Sequence, residues 1–203
     1  ITLGVLAAIE EDNRATQRAI SQDLGIALGL TNAYLKRCVK KGFIKVRQIP
    51  ANRYSYYLTP QGFAEKSRLT AEYLSISFNF FRSSREQCAE LFNVCDKNRW
   101  TRVALAGHGD LAEIATLCQR EGSSVEIIGI INTTENVDAP ERFAGLPVVD
   151  RLTDLAKVHA VIVTDIVNAQ KVYDRLTKAI PLERILTVPL LKVSRELPSL
   201  VDD

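Results

Sequence analysis

Histidine is scarce in this chain of 203 residues: only His108 and His159 are present, with four cysteines and a single tryptophan. No uninterrupted apolar stretch approaches the roughly 20 residues that a helix needs to cross a bilayer. No basic segment followed by an apolar one marks a secretory signal, so cytoplasmic residence without membrane attachment is expected. Cys38, Cys88, Cys95 and Cys118 form no CxxC pair and have no histidine-rich ligand set beside them, which argues against a zinc site. Buried free thiols are expected of them, with a redox role as the alternative. His108 has no Ser-His-Asp order, paired carboxylates or Tyr-x-x-x-Lys element for company. The second half is also too short to add a substrate domain, so no catalytic residue is assigned and a non-enzyme is expected.

A local absence says more. Between Asp23 and Glu65 there is no acidic residue, while Lys36, Arg37, Lys40, Lys41, Lys45, Arg47 and Arg53 fall in that interval. The net charge of +2 hides an asymmetry: residues 1–74 carry eleven Lys/Arg against six Asp/Glu, and residues 75–203 carry fifteen against eighteen. A basic module tethered to a mildly acidic one suits a DNA-binding domain with a separate partner. The 46% hydrophobic and 25% charged residues are those of an ordinary globular protein.

The basic module has the punctuation of a helix-turn-helix. Leu3, Leu6 and Ile9 recur at helical spacing. Residues 13–16 break that pattern and cap a second helix over 17–24, in which Ile20 and Leu24 form an apolar pair. Gly25 sits where a helix end favours a left-handed residue. A third helix spans about 28–41, is stopped by Gly42, and buries Leu35, Cys38 and Val39. Residues 43–49 and 54–58 read as two strands around a turn at Pro50-Ala51-Asn52-Arg53, which makes a wing. Thr59-Pro60 then starts a helix, with Thr as N-cap and Pro at the first position.

The run Ser21-Gln22-Asp23-Leu24-Gly25-Ile26, then Asn32, then the segment from Leu35 to Val46 with its Lys40-Lys41-Gly42-Phe43-Ile44 core, then Tyr57-Leu58-Thr59-Pro60-Gln61-Gly62, resembles MarR-type winged helices associated with exopolysaccharide gene clusters. Ala27 stands where that pattern usually has a Ser/Thr cap, and Leu30 where it has a basic or polar residue, which leaves the operator sequence open. On the third helix, Leu30, Asn32, Ala33 and Lys36 are the candidates for base edges, Asn32 toward adenine and Lys36 toward guanine. Arg37, Lys40 and Arg53 are cast as phosphate contacts. Thr16, Gln17 and Arg47 complete the expected interface with double-stranded DNA. Residues 75–100 read as a helical connector whose aromatics, between Tyr73 and Phe81, suit a homodimer interface or packing onto the second domain.

From residue 102 apolar strands alternate with helices, the pattern of a parallel sheet covered on both faces. Strands are expected at 103–106, 125–131, 147–149, 160–164 and 184–188, and helices from 110 to about 120, at 152–156 and at 168–179. Gly107-His108-Gly109-Asp110-Leu111-Ala112 fits GxGxxA between a strand and a helix, where backbone N–H groups at the helix start can meet a phosphate. The acidic residue expected at the end of the second strand is replaced by Asn132, with Glu135 three further on. With Gly129-Ile130-Ile131-Asn132 and Phe143-Ala144-Gly145-Leu146-Pro147-Val148, this half resembles the Rossmann-like domains of sugar-nucleotide-modifying enzymes. The layout is similar to that of the Rex family of redox-sensing repressors, as is Val167-Asn168-Ala169-Gln170 before a helix. The resemblance implies an NAD(H), nucleotide or nucleotide-sugar effector held by Gly107, His108, Gly109, Asp110, Leu111 and Asn132. The expected architecture is therefore an α+β winged helix-turn-helix (1–74), a connector (75–100) and an α/β Rossmann-like sensing domain (101–203). A nucleotide-sugar-modifying or NAD-dependent enzyme whose winged helix does not bind DNA is the alternative.

Overall fold

The computed structural model describes residues 1–49, 53–119, 124–134 and 139–195. They divide into two compact units, Ile1–Phe78 and Asn79–Asp203.

In the first unit, helices α1 (Thr2–Glu11), α2 (Gln17–Asp23) and α3 (Leu28–Lys40) precede an antiparallel pair, β1 (Ile44–Ile49) and β2 (Arg53–Leu58). Helix α2 starts as its residues dictate: Thr16 Oγ1 accepts the Ala19 N–H at 3.1 Å. Gly25, at φ 62°, closes it, with Gly25 N–H bonded to Gln22 O and Ile26 N–H to Ser21 O. The core gathers Val5, Leu6, Ile9, Ile20, Leu35, Cys38, Phe43, Ile44 and Tyr56. One expectation fails here. Val39 is 39% exposed, and Thr31 is buried instead. Thr31, Leu35 and Cys38 share one helical face, and Val39 lies about 100° further round.

Helix α4 runs unbroken from Pro60 to Lys97, and the boundary between the units falls inside it. Thr59 Oγ1 accepts the Gly62 N–H at 3.0 Å, completing the expected start. A Cβ on Gly62 would lie 2.1 Å from Phe43 O, so only glycine lets this first turn pack against the backbone just before β1. Around the boundary the helix leaves Tyr73, Leu74, Ile76, Phe78 and Phe81 exposed.

The second unit is built on a six-stranded sheet of β3 (Arg102–Ala106), β4 (Glu126–Ile131), β5 (Arg142–Phe143), β6 (Leu146–Val149), β7 (Ala160–Val163) and β8 (Ile185–Thr187). Its order is β5-β6-β4-β3-β7-β8. All pairings are parallel except β5 with β6, a short antiparallel edge that the expected all-parallel sheet did not include. From β6 to β8 this is the doubly wound order 3-2-1-4-5, with the chain reversing direction of growth between β3 and β7. Alternation along β3 serves two cores. Val103 and Leu105 pack with α5 (Asp110–Leu117) and the Cys88–Cys95 stretch of α4; Ala104 and Ala106 pack with α6 (Ala169–Leu176). The expected helix at 152–156 is a single 3₁₀ turn, Leu152–Asp154. Among the described residues no helix is long and apolar enough to cross a membrane.

Candidate nucleic-acid interface and strand-end site

Helix α3 presents Leu30, Ala33, Lys36, Arg37 and Lys40 to solvent, and Arg47 is exposed on β1. None of these four cations is in an ion pair among the described residues; the pairs that form are Lys66–Glu10, Arg68 with Glu65 and Glu72, and Arg102–Glu126. The acid-free segment thus becomes an unneutralised face, which is what attracts a polyanion. Thr16 is exposed, with its hydroxyl committed to the cap. Gln17 is half-buried and donates from Nε2 to Tyr56 Oη at 3.0 Å. Asn32 is half-buried too, and its Oδ1 is buried and accepts no hydrogen bond. The fold brings Gln17, Asn32, Lys36 and Lys40 around one cavity between α3 and the wing, together with Val46, Tyr54 and Tyr56. Those three were not among the sequence candidates, although Tyr54 and Tyr56 alternate and Val46 pairs with Tyr56, so one strand face carries all of them. The Pro50-Ala51-Asn52 turn and the Arg53 side chain lie outside the described residues.

At the C-terminal edge of the large sheet, hydrogen bonds tie three strand ends together. Gly107 N–H donates to Ile131 O, and Thr164 and Asp165 N–H both donate to Ala106 O. Thr164 Oγ1 donates to Gly107 O at 2.6 Å. The buried Asp165 carboxylate accepts from Thr133 Oγ1 at 2.6 Å and from the N–H groups of Val167 and Asn168 at 2.9 and 2.7 Å. Gly107, at φ 107°, is needed for this packing, since a Cβ there would come within 2.7 Å of Asp165.

The other members of the glycine loop have different surroundings. Gly109, at φ 148°, has open space beside it. The His108 ring meets Phe143 edge-on at 6.0 Å, and its Nδ1 is buried without a partner. Leu111 is fully buried in the core. Asp110 and Glu113 occupy the first turn of α5, where their charge offsets the helix dipole. Asn132 is engaged at both ends of its amide, donating to Asp150 and accepting from Thr134. Glu135 lies outside the described residues. His159 sits at the opposite edge of the sheet, where Nδ1 accepts from Thr101 N–H at 3.1 Å, so the two histidines do not converge. Asp165 and Thr133 had no short motif to mark them; their roles come from segments that meet only in the folded sheet.

The cysteines are all buried and free. Burial pushes the thiols of Cys88 and Cys95 up to about 12, leaving essentially no thiolate at neutral pH.

With this geometry in hand, comparison with known families is specific for one end of the chain: residues 1–45 match the family described as winged helix-turn-helix DNA-binding. The match covers α1 to α3 and reaches the start of β1, and the wing and α4 follow it in the structure. The search of curated proteins found no match.

Proposed function

We propose that this chain is a dimeric, repressor-like regulator of the MarR type whose C-terminal domain senses a nucleotide-type effector: NAD(H), a nucleotide or a nucleotide-sugar. The first half of this reading rests on the DNA-binding family match and on the unneutralised cations of α3. Asn32, Lys36, Leu30 and Ala33 read base edges. Arg37, Lys40, Arg47 and the wing Arg53 meet phosphates, while Thr16 and Gln17 position the start of α2 on the backbone. Two-fold operators call for a dimer, and the exposed Tyr73, Leu74, Ile76, Phe78 and Phe81 of α4 supply an apolar surface for one.

Support for an effector comes from strand order. Ligands of open α/β sheets sit outside the carboxyl ends of the strands where the order reverses, here between β3 and β7. The glycine loop is at that point. His108 Nδ1 and the N–H groups at the start of α5 are the groups that would hold a phosphate. Asp150 and Asn132 stand at the neighbouring strand ends for a ribose. A nucleotide alters DNA affinity only through different affinities for two arrangements of the dimer.

Fluorescence anisotropy with a duplex from the region upstream of the gene tests the reading. Binding should weaken steeply with salt, by about 0.9 log units per log unit of salt for each phosphate contacted; no binding at low salt overturns it. Calorimetry with NADH, NAD, ATP and UDP-sugars tests the effector. A valine at Gly109 would fill space that the protein leaves open, so Gly109→Val should abolish ligand binding and its effect on DNA while leaving DNA binding itself intact.

A further inference from the structure

We propose that the N-terminal end of α3 selects DNA by hydrocarbon contact rather than by hydrogen bonds: Leu30, with Ala33 beside it, covers the 5-methyl groups of thymines in the major groove. This rests on the DNA-binding reading of α3 given above and names the sequence feature that the helix selects. Thr31, Leu35 and Cys38 are the buried residues of α3. At about 100° per residue, Gly29, Leu30, Ala33, Lys36, Arg37 and Lys40 therefore fall on the opposite face. Along that face the chemistry divides, with hydrocarbon in the first half and cations in the second.

Leu28 and Leu30 are 40% and 42% exposed, and Ala27, Gly29 and Ala33 are exposed with them. No side chain among these five carries a donor or an acceptor. The hydroxyl that interrupts them, on Thr31, is fully buried and donates to Ala27 O at 3.3 Å. Gly29 would have nothing within 4 Å of a Cβ, so the backbone there is open to close approach. A recognition helix meets base edges with this end. In the major groove the hydrocarbon group on a base edge is the thymine C5 methyl. A guanine–cytosine pair presents only donors and acceptors there, which a leucine would bury without partners. Leu30 thus favours thymine by what it covers and disfavours guanine and cytosine by what it leaves unpaired. Lys36, Arg37 and Lys40 follow on the next turns, in no ion pair among the described residues, and draw the hydrocarbon end against the bases.

Duplexes that the full chain enriches from a random pool at low salt should carry thymine at fixed positions. Deoxyuridine at those positions removes the methyl group and keeps every donor and acceptor. It should weaken binding about fourfold per methyl, the value of one buried methyl group, while deoxyuridine elsewhere in the duplex changes nothing. At the same positions 5-methylcytosine should bind about fourfold more tightly than cytosine. Leu30→Ala, at an exposed position, should bind the thymine and deoxyuridine duplexes equally and keep the salt dependence of the wild type. If that variant misfolds, the deoxyuridine and 5-methylcytosine comparisons on the wild type decide the matter. Enriched sites that tolerate deoxyuridine throughout, or a deoxyuridine loss as large in Leu30→Ala as in the wild type, overturn methyl reading and leave the regulator reading standing. No duplex retained at low salt overturns both.

Discussion

The surfaces that carry function in the two units are built in opposite ways. On the N-terminal unit the important polar groups are left without partners: the cations of α3 are in no ion pair among the described residues, and the Asn32 oxygen accepts nothing. At the strand ends of the C-terminal unit almost every polar group is committed to another. Asp165 holds Thr133 and the start of α6, Thr164 holds the glycine loop, and Asn132 bridges Asp150 and Thr134. Unpaired groups on an exposed face can exchange partners with a polyanion at little structural cost. Paired groups at a sheet edge hold a preorganised scaffold, in which His108 Nδ1 is buried without a partner and the space beside Gly109 is open. Electrostatics should therefore dominate substitutions in the first region and fold stability those in the second.

Glycine substitutions should show the contrast most strongly. Gly107→Ala combines a positive φ with a Cβ driven into Asp165, and should destabilise the C-terminal unit by about 2–5 kcal/mol. Gly25→Ala, also at positive φ but with nothing within 4 Å of its Cβ, should cost about 1 kcal/mol. Denaturant unfolding checks both: fluorescence of the lone Trp100, which packs on the C-terminal core, follows one unit and circular dichroism follows the whole. Equal losses for the two substitutions would show that backbone strain alone governs both sites.

Next in size come changes to α3. Lys36→Ala should weaken a specific duplex by about 1–3 kcal/mol and relax base preference, whereas Lys40→Ala should weaken all duplexes and reduce the salt slope by about 1. Neither should move the Trp100 transition. Asp165→Ala should leave the folded N-terminal unit and its DNA affinity unchanged while costing the C-terminal unit about 1–3 kcal/mol, since Thr133 Oγ1 and two N–H groups lose their acceptor. A loss of DNA affinity in that variant would show that the two regions are coupled. The smallest effect is at the α2 cap: Thr16→Ala should lower stability by about 1 kcal/mol, read as a shift in the thermal midpoint of the N-terminal unit.

The contrast also separates what a linear reading reaches from what it misses. Helix caps at Thr16 and Thr59, the turn at Gly25, the hairpin and the strand–glycine loop–helix order depend on neighbours within a few residues, and periodicity reports them. The acid-free interval was equally legible, because charge needs no fold to be counted. Val39 was misplaced because apolar character alone does not say whether a side chain one step round a helix meets core or solvent. The cavity was missed because its walls come from residues 17–40 and 46–56, which converge only when the wing folds back beside α3.

Sequence by itself determined the order of the elements, the winged helix-turn-helix, the apolar strands of the second unit and the sign of the charge on α3. Tertiary structure alone decided that Gly107 packs tightly against Asp165, that Asn132 is engaged with Asp150, that β5 adds an antiparallel edge, and that Asn32 keeps a buried oxygen without a donor. The first set follows from local geometry, where each residue restricts its near neighbours. The second follows from contacts across tens of residues, such as the 58 that separate Gly107 from Asp165, which no local preference encodes.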